Sequence, residues 1–118
     1  MQIERIEISK LIGDPANIRK HGERNIQTIV GSLHRFGQQK PIVIDRGNII
    51  RAGNGTLEAA RSIGWTHLDC VRTELLSSDA IAYAIADNRT AELAEWDDDA
   101  LAAQLNELIT LLPIWLRR

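Results

Sequence analysis

The chain has 118 residues, 44% of them hydrophobic and 25% charged, which supports one soluble domain with a single core and excludes a disordered or membrane-spanning class. Its net charge of −2 gives no broad attraction to nucleic acid, so any DNA contact needs a local basic patch or a partner. The lone cysteine, Cys70, excludes an internal disulfide, and with no apolar leader after Met1 it predicts a cytoplasmic protein in a reducing compartment.

Ile3, Ile6 and Ile8 sit among charges, and Ile6 and Ile8 alternate with polar residues, which predicts a strand of about six residues. Gly13-Asp14-Pro15-Ala16-Asn17 is a loop cluster. Ile26, Ile29, Val30, Leu33 and Phe36 then fall on one face of a helix running from near Glu23 to Phe36, with Gly37 placed to end it. Pro41-Ile42-Val43-Ile44-Asp45 reads as a strand, Arg46-Gly47-Asn48 as a turn, and Ile49-Ile50 as the return strand of a hairpin.

The stretch Arg51-Ala52-Gly53-Asn54-Gly55-Thr56-Leu57-Glu58 carries the most information. It leaves the return strand and enters a helix that stops at Gly64. A Gly-rich turn opening a helix points unpaired backbone N–H groups and the positive end of the dipole outward, which suits a phosphate. Gly53 and Gly55 permit positive φ and close approach, and Asn54 or Thr56 is placed to cap the helix. Taken alone, the same residues also fit an ordinary strand–turn–helix joint.

Residues 66–72 alternate as a further strand whose buried face is either Leu68 with Cys70, or Val71 with its neighbours. Ser77-Ser78-Asp79 is placed to cap a helix reaching about Ala94. Asp97-Asp98-Asp99 sets negative charge at the start of a last helix with Leu101, Leu105, Leu108, Ile109 and Leu112, ended by Pro113. Three consecutive polar residues, Asp87, Asn88 and Arg89, interrupt the Ala/Ile-rich helix, and at least one should face the body. Trp65 should plug the core edge and Trp96 a helix corner. His67 and Cys70, an odd number apart on a strand, point to opposite faces and predict no metal site. The order β, α, β, β, α, β, α, α predicts an α/β (α+β) fold, a small mixed sheet with packed helices and a C-terminal helical pair.

This order, with four motif segments over residues 3–97, resembles the ParB N-terminal domain (ParB/sulfiredoxin-like) family. The segments are Ile8-Ser9-Lys10-Leu11-Ile12 with Asp14-Pro15-Ala16-Asn17-Ile18-Arg19; residues 26–43, with Phe36-Gly37 and Gln39-Lys40-Pro41-Ile42-Val43; residues 50–65, around the glycine turn; and residues 82–97, with Ala86-Asp87-Asn88-Arg89 and Glu95-Trp96-Asp97. The last wording is closest to phage-type and methyltransferase-associated ParB-like "nuclease" members.

The resemblance implies a nucleotide-binding domain over residues 1–97, with residues 98–118 as a helix and tail packed on it or extending from it. By position, Gly53, Asn54, Gly55 and Thr56 would cradle phosphates, Asp87, Asn88 and Arg89 would face them, and Arg19 would reach in from the first loop. Gln39, Lys40, Pro41 and Ile42 would line the base or ribose. The implied ligand is CTP or ATP, with Mg²⁺, in a DNA-associated process such as plasmid partition, phage biology or DNA modification. DNA would be reached through a partner protein or a separate domain, and the C-terminal helices would join a homodimer.

Gly-Asn-Gly-Thr stands where partition proteins of the family carry Gly-Glu-Arg-Arg and sulfiredoxins Gly-Cys-His-Arg. The arginine grip and the sulfiredoxin cysteine are both missing, so sulfiredoxin activity is not expected. No catalytic residue is assigned. The alternatives are a weak NTPase or ParB-like nuclease, and a degenerate pocket serving as a protein-interaction adaptor.

Overall fold

The computed structural model describes residues 1–15 and 22–117. The elements follow the expected order: β1 (Ile3–Glu7), α1 (Glu23–Phe36), β2 (Ile42–Ile44), β3 (Ile50–Ala52), α2 (Asn54–Ser62), β4 (His67–Arg72), α3 (Ser77–Leu93) and α4 (Asp98–Leu111). Single 3-10 turns lie at Ile8–Lys10 and Ile114–Leu116. The four-stranded sheet has the order β1-β4-β2-β3. β4 runs antiparallel to β1 and parallel to β2, and β2 and β3 form the expected hairpin. The chain therefore leaves β3, passes through α2, and inserts β4 into the middle of the sheet.

Period-two patterning sets which face is buried. Leu68 and Cys70 point inward, which decides the face of β4 that the sequence left open. Ile6, opposite Leu68 in the register, joins them with Ile42, Ile44 and Ile50. Ile26 and Leu33 of α1 and Leu57, Ala59 and Ala60 of α2 close this core, and Trp65 packs at its edge as expected. α3 packs on β3 and buries Ala80 and Ala84. α4 buries none of its residues. Among the described residues, no helix is long and apolar enough to cross a membrane.

The helix ends show where local chemistry decides. Gly37 ends α1 with φ 73°, its N–H on the Leu33 carbonyl. Gly64 ends α2 with φ 79°; its N–H bonds the Arg61 carbonyl and that of Trp65 bonds Ala60, the paired bonds of a Schellman motif. Asp97 caps α4 by accepting from the Ala100 N–H at 3.0 Å.

Three local expectations are corrected. α2 begins at Asn54 with Gly53 at the N-cap, so neither Asn54 nor Thr56 caps it, and Gly55 sits buried in the first helical turn rather than at positive φ. Ser77 and Ser78 lie inside α3, whose N-cap is Leu76 and which has no side-chain cap; Ser77 instead takes φ 49°. Trp96 is exposed and seals no corner.

Burial pushes the Cys70 thiol up to about 11, with the Glu4 and Asp69 charges adding to it. In the native protein Cys70 should therefore resist a thiol reagent at pH 8 and react once the chain is unfolded in denaturant. Reaction of the folded protein on mixing would contradict this packing.

Candidate functional site: the glycine turn before α2

β3 delivers the chain to Gly53, whose φ of 109° turns it into α2. The turn lies directly over β2, where a Cβ on Gly53 would collide with the Ile42 Cγ2 and fall 2.8 Å from its Cβ. Both the backbone angle and the space therefore demand glycine. The Leu57 N–H closes the first helical bond on the Gly53 carbonyl, and among the described residues no side chain caps the helix start. The amides of Asn54, Gly55 and Thr56 are the first-turn donors of α2, the arrangement that receives an anion.

A buried ion triad fixes this turn. Arg51, one residue before the end of β3, places its guanidinium 2.9 Å from Asp45 and 3.3 Å from Asp14, and all three side chains are nearly inaccessible. Asp45 also accepts from the Gly47 N–H at 2.8 Å and the Ile49 N–H at 3.0 Å, so it shapes the hairpin turn. Burial alone would raise the Asp45 pKa. The N–H groups of Ile49 and Gly47 and then Arg51 outweigh that, and the carboxyl ends below its usual 3.8.

Asn54 ties the turn to the first loop by accepting from the Asp14 N–H at 3.0 Å. Arg72 braces the far side of the hairpin: it grips Glu4 through two nitrogens at 3.1 and 3.2 Å and donates to the Asp45 carbonyl and the Asn48 side chain.

The expected site residues do not all converge. Gly53, Asn54, Gly55 and Thr56 form the turn, and Ile42 lies beneath it as a buried core residue. Pro41 is half-buried; Gln39 and Lys40 are exposed, with Gln39 donating to the Phe36 carbonyl. Asp87 and Asn88 are half-buried on α3, the helix that packs on β3. Arg89 is exposed and pairs with Glu92 at 3.2 Å. Among the described residues, no hydrogen bond or ion pair joins these three to the turn. Arg19 lies outside the described residues.

Sequence reasoning missed the roles of Asp45 and Arg51. The signal available was a charge in the otherwise apolar run Ile49-Ile50-Arg51-Ala52, which a folded chain must partner. It also missed Gln38, whose amide pairs with both backbone groups of Asp69 at 2.8 Å and pins the 38–41 loop to β4. A cavity of about 420 Å³ lined by Arg5, Trp65, Thr66, His67 and Asp69 lies at the other end of α2 and holds none of the expected site residues.

Solved structures share this architecture. The ParB chromosome-partitioning protein of Caulobacter crescentus, C-terminally truncated and complexed with CTP-γ-S, matches with a TM-score of 0.74 at 20% identity over 89% of this chain and 62% of that one. The chain has the ParB/sulfiredoxin fold. The same Caulobacter protein complexed to the centromeric parS site matches with a TM-score of 0.60 at 21% identity, over 72% of this chain and 46% of that one. Sulfiredoxin from Arabidopsis thaliana matches at 0.59 and 16% identity, over 72% of this chain and 98% of that one. The chain thus spans less than two thirds of the ParB chains and aligns with nearly all of the sulfiredoxin. No protein-family model matches the chain, and no curated protein matches it by sequence.

Two outcomes test the geometry of the turn. Arg51→Met leaves the buried Asp45 carboxylate without the guanidinium that meets it and should cost about 3–5 kcal/mol at pH 7 in denaturant unfolding. Asp45 has a folded pKa below its unfolded value, so its share of stability is present above about 3.8 and is lost as pH falls through the lower folded value. The Arg51→Met deficit should therefore shrink as pH falls below about 3.8 and Asp45 takes up a proton; a pH-independent deficit would contradict the Asp45–Arg51 pairing. Gly53→Ala should destabilise by more than about 1 kcal/mol, since the added carbon meets Ile42 as well as an unfavourable φ. A neutral Gly53→Ala would show that the turn is built differently.

Proposed function

We propose that this chain is a ParB-like domain that binds a nucleoside triphosphate, CTP or ATP with Mg²⁺, at the 53–56 turn and works in a DNA-associated process of the partition, phage or DNA-modification kind. The observation that carries the reading is the α2 start behind Gly53, uncapped among the described residues, in a fold shared by a Caulobacter protein solved with CTP-γ-S.

In this reading the amides of Asn54, Gly55 and Thr56 hold the phosphates. Asp87, Asn88 and Arg89 approach from α3, Arg19 from the first loop, and Gln39, Lys40 and Pro41 from the base side. Ile42 supports the turn from below. Residues 1–97 form the binding domain and residues 98–118 an arm. Because Gly55 and Thr56 replace the arginines of partition proteins, the exposed cations Lys40 and Arg89 stand in for them in this assignment. The nucleotide acts as a switch, and its effect is limited to its differential affinity for the two states. DNA is reached through a partner or another domain. The unburied apolar side of α4 favours a second reading, an interaction adaptor, whether or not nucleotide binds.

The test is thermal unfolding with CTP, ATP, GTP and UTP, each with Mg²⁺. Ligand at about a hundred times its Kd stabilises by about 2.7 kcal/mol, a shift of several degrees for a domain of this size. One nucleotide should produce that shift. Arg89→Ala, which removes only an exposed pair in the free protein, should reduce affinity about tenfold if Arg89 meets phosphate. A flat response to all four nucleotides would sink the switch reading and leave the adaptor.

A further inference from the structure

Arg5 on β1 and Asp69 on β4 stand directly opposite each other in the register. Leu68 and Cys70 point into the core, so both of these side chains lie on the outer face of the sheet. Residues opposed in this way have Cβ atoms about 4.5–5.5 Å apart, close enough for an ion pair. Yet among the described residues neither side chain makes a hydrogen bond or an ion pair. Both instead line the cavity of about 420 Å³ at the C-terminal end of α2, with Gln38, Trp65 and His67. Small-molecule sites usually span about 300–1,000 Å³, a range that includes this cavity.

The walls are fixed. The Gln38 side chain accepts from the Asp69 N–H and donates to the Asp69 carbonyl, each at 2.8 Å, which holds the strand beneath the carboxylate. The Thr66 hydroxyl meets His67 Nδ1 at 2.8 Å. Trp65 is half-buried, packed against the core and lining the cavity as well. A second cavity, of about 610 Å³, shares the Trp65–His67 segment and extends past Ile8 and Ser9.

The chemistry of the lining selects the ligand. The carboxylate needs hydrogen-bond donors and the guanidinium beside it needs acceptors. The indole favours a flat aromatic ring. The C-terminal end of α2 is the negative pole of the helix dipole, which disfavours a phosphate or carboxylate here. A neutral planar ring with two donors followed by two acceptors along one edge meets all of these conditions. Guanine has that edge, with N1–H and N2–H for a carboxylate and O6 and N7 for a guanidinium. Adenine and cytosine each present a single donor group.

We infer that this cavity binds the guanine base of a nucleoside or nucleotide. Asp69 accepts from N1–H and N2–H, Arg5 donates to O6 and N7, and the ring lies against Trp65. The adjoining cavity leaves room for the ribose.

The test is guanosine titrated into the ¹⁵N-labelled full chain, read at the backbone amides and the Trp65 indole. Guanosine has no phosphate for the glycine turn to hold, so its result stands apart from nucleotide binding at residues 53–56. A thermal shift with GTP that guanosine reproduces belongs to this cavity. Saturable shifts should appear at residues 64–69, at Arg5 and at the Trp65 indole, with adenosine and cytidine at least about tenfold weaker. Asp69→Asn should weaken guanosine about tenfold and strengthen xanthosine, whose 2-oxo group accepts where guanine donates. A purely structural role for Asp69 would not exchange the two ligands. Arg5→Gln, at an exposed position, should also weaken guanosine about tenfold while keeping the melting temperature of the parent. Absence of saturable binding, equal binding of adenosine, shifts at 53–56 instead of 64–69, or unchanged guanosine affinity in either variant would overturn the proposal.

Discussion

The Arg51 guanidinium, held between Asp14 and Asp45 in the interior, is the contact on which the glycine turn depends. It joins the loop after β1, 37 residues away, to the hairpin turn and to the strand that enters the glycine turn. Such a cluster is a poor source of net stability, because desolvating three charges offsets most of their attraction. Its value lies in position. Asp45 can accept from Gly47 and Ile49 and still meet Arg51 only in one hairpin geometry, and that geometry sets where β3 ends. Two residues on, Gly53 lies against Ile42, and Asn54 returns the link to Asp14 through its backbone. The first loop and the α2 start are thereby locked as one unit.

That unit gives the turn its chemical character. The triad carries one positive and two negative charges on side chains that are nearly inaccessible, so Arg51 is engaged with the two carboxylates rather than presented to an incoming phosphate. Recognition at the turn then falls to backbone amides and the helix dipole, which are weaker than a guanidinium fork and depend more on correct placement. The fold alone does not decide the matter, since it carries both a CTP-analogue complex of a partition protein and a sulfiredoxin.

The order of the elements was legible because each has a clear period and a clear stop. Gly37 and Gly64 end α1 and α2 with positive φ, and the turn before Ile49 follows the expected hairpin. The start of α2 was misplaced because Asn and Thr are strong N-cap residues, while the close approach of Gly53 to Ile42 is a tertiary fact. Ser77 misled for the same reason: a residue type that commonly caps instead occupies a strained backbone inside the helix start. The ion triad was hidden because Asp14, Asp45 and Arg51 are linked only by the folded chain, though a lone arginine in an apolar strand was a visible clue. The last helix and its apolar positions were legible in the sequence; what sequence does not reveal is that Leu105 and Leu108 stay exposed while Leu101 and Leu112 are half-buried.

The most direct test of the account follows the backbone amides of ¹⁵N-labelled protein while CTP or ATP is added with Mg²⁺. The account predicts the largest shifts at Asn54, Gly55 and Thr56, with smaller ones at Lys40 and on α3 near Asp87. Shifts confined to the 64–69 region at the other end of α2, or to α4, would contradict it and place any nucleotide away from the glycine turn.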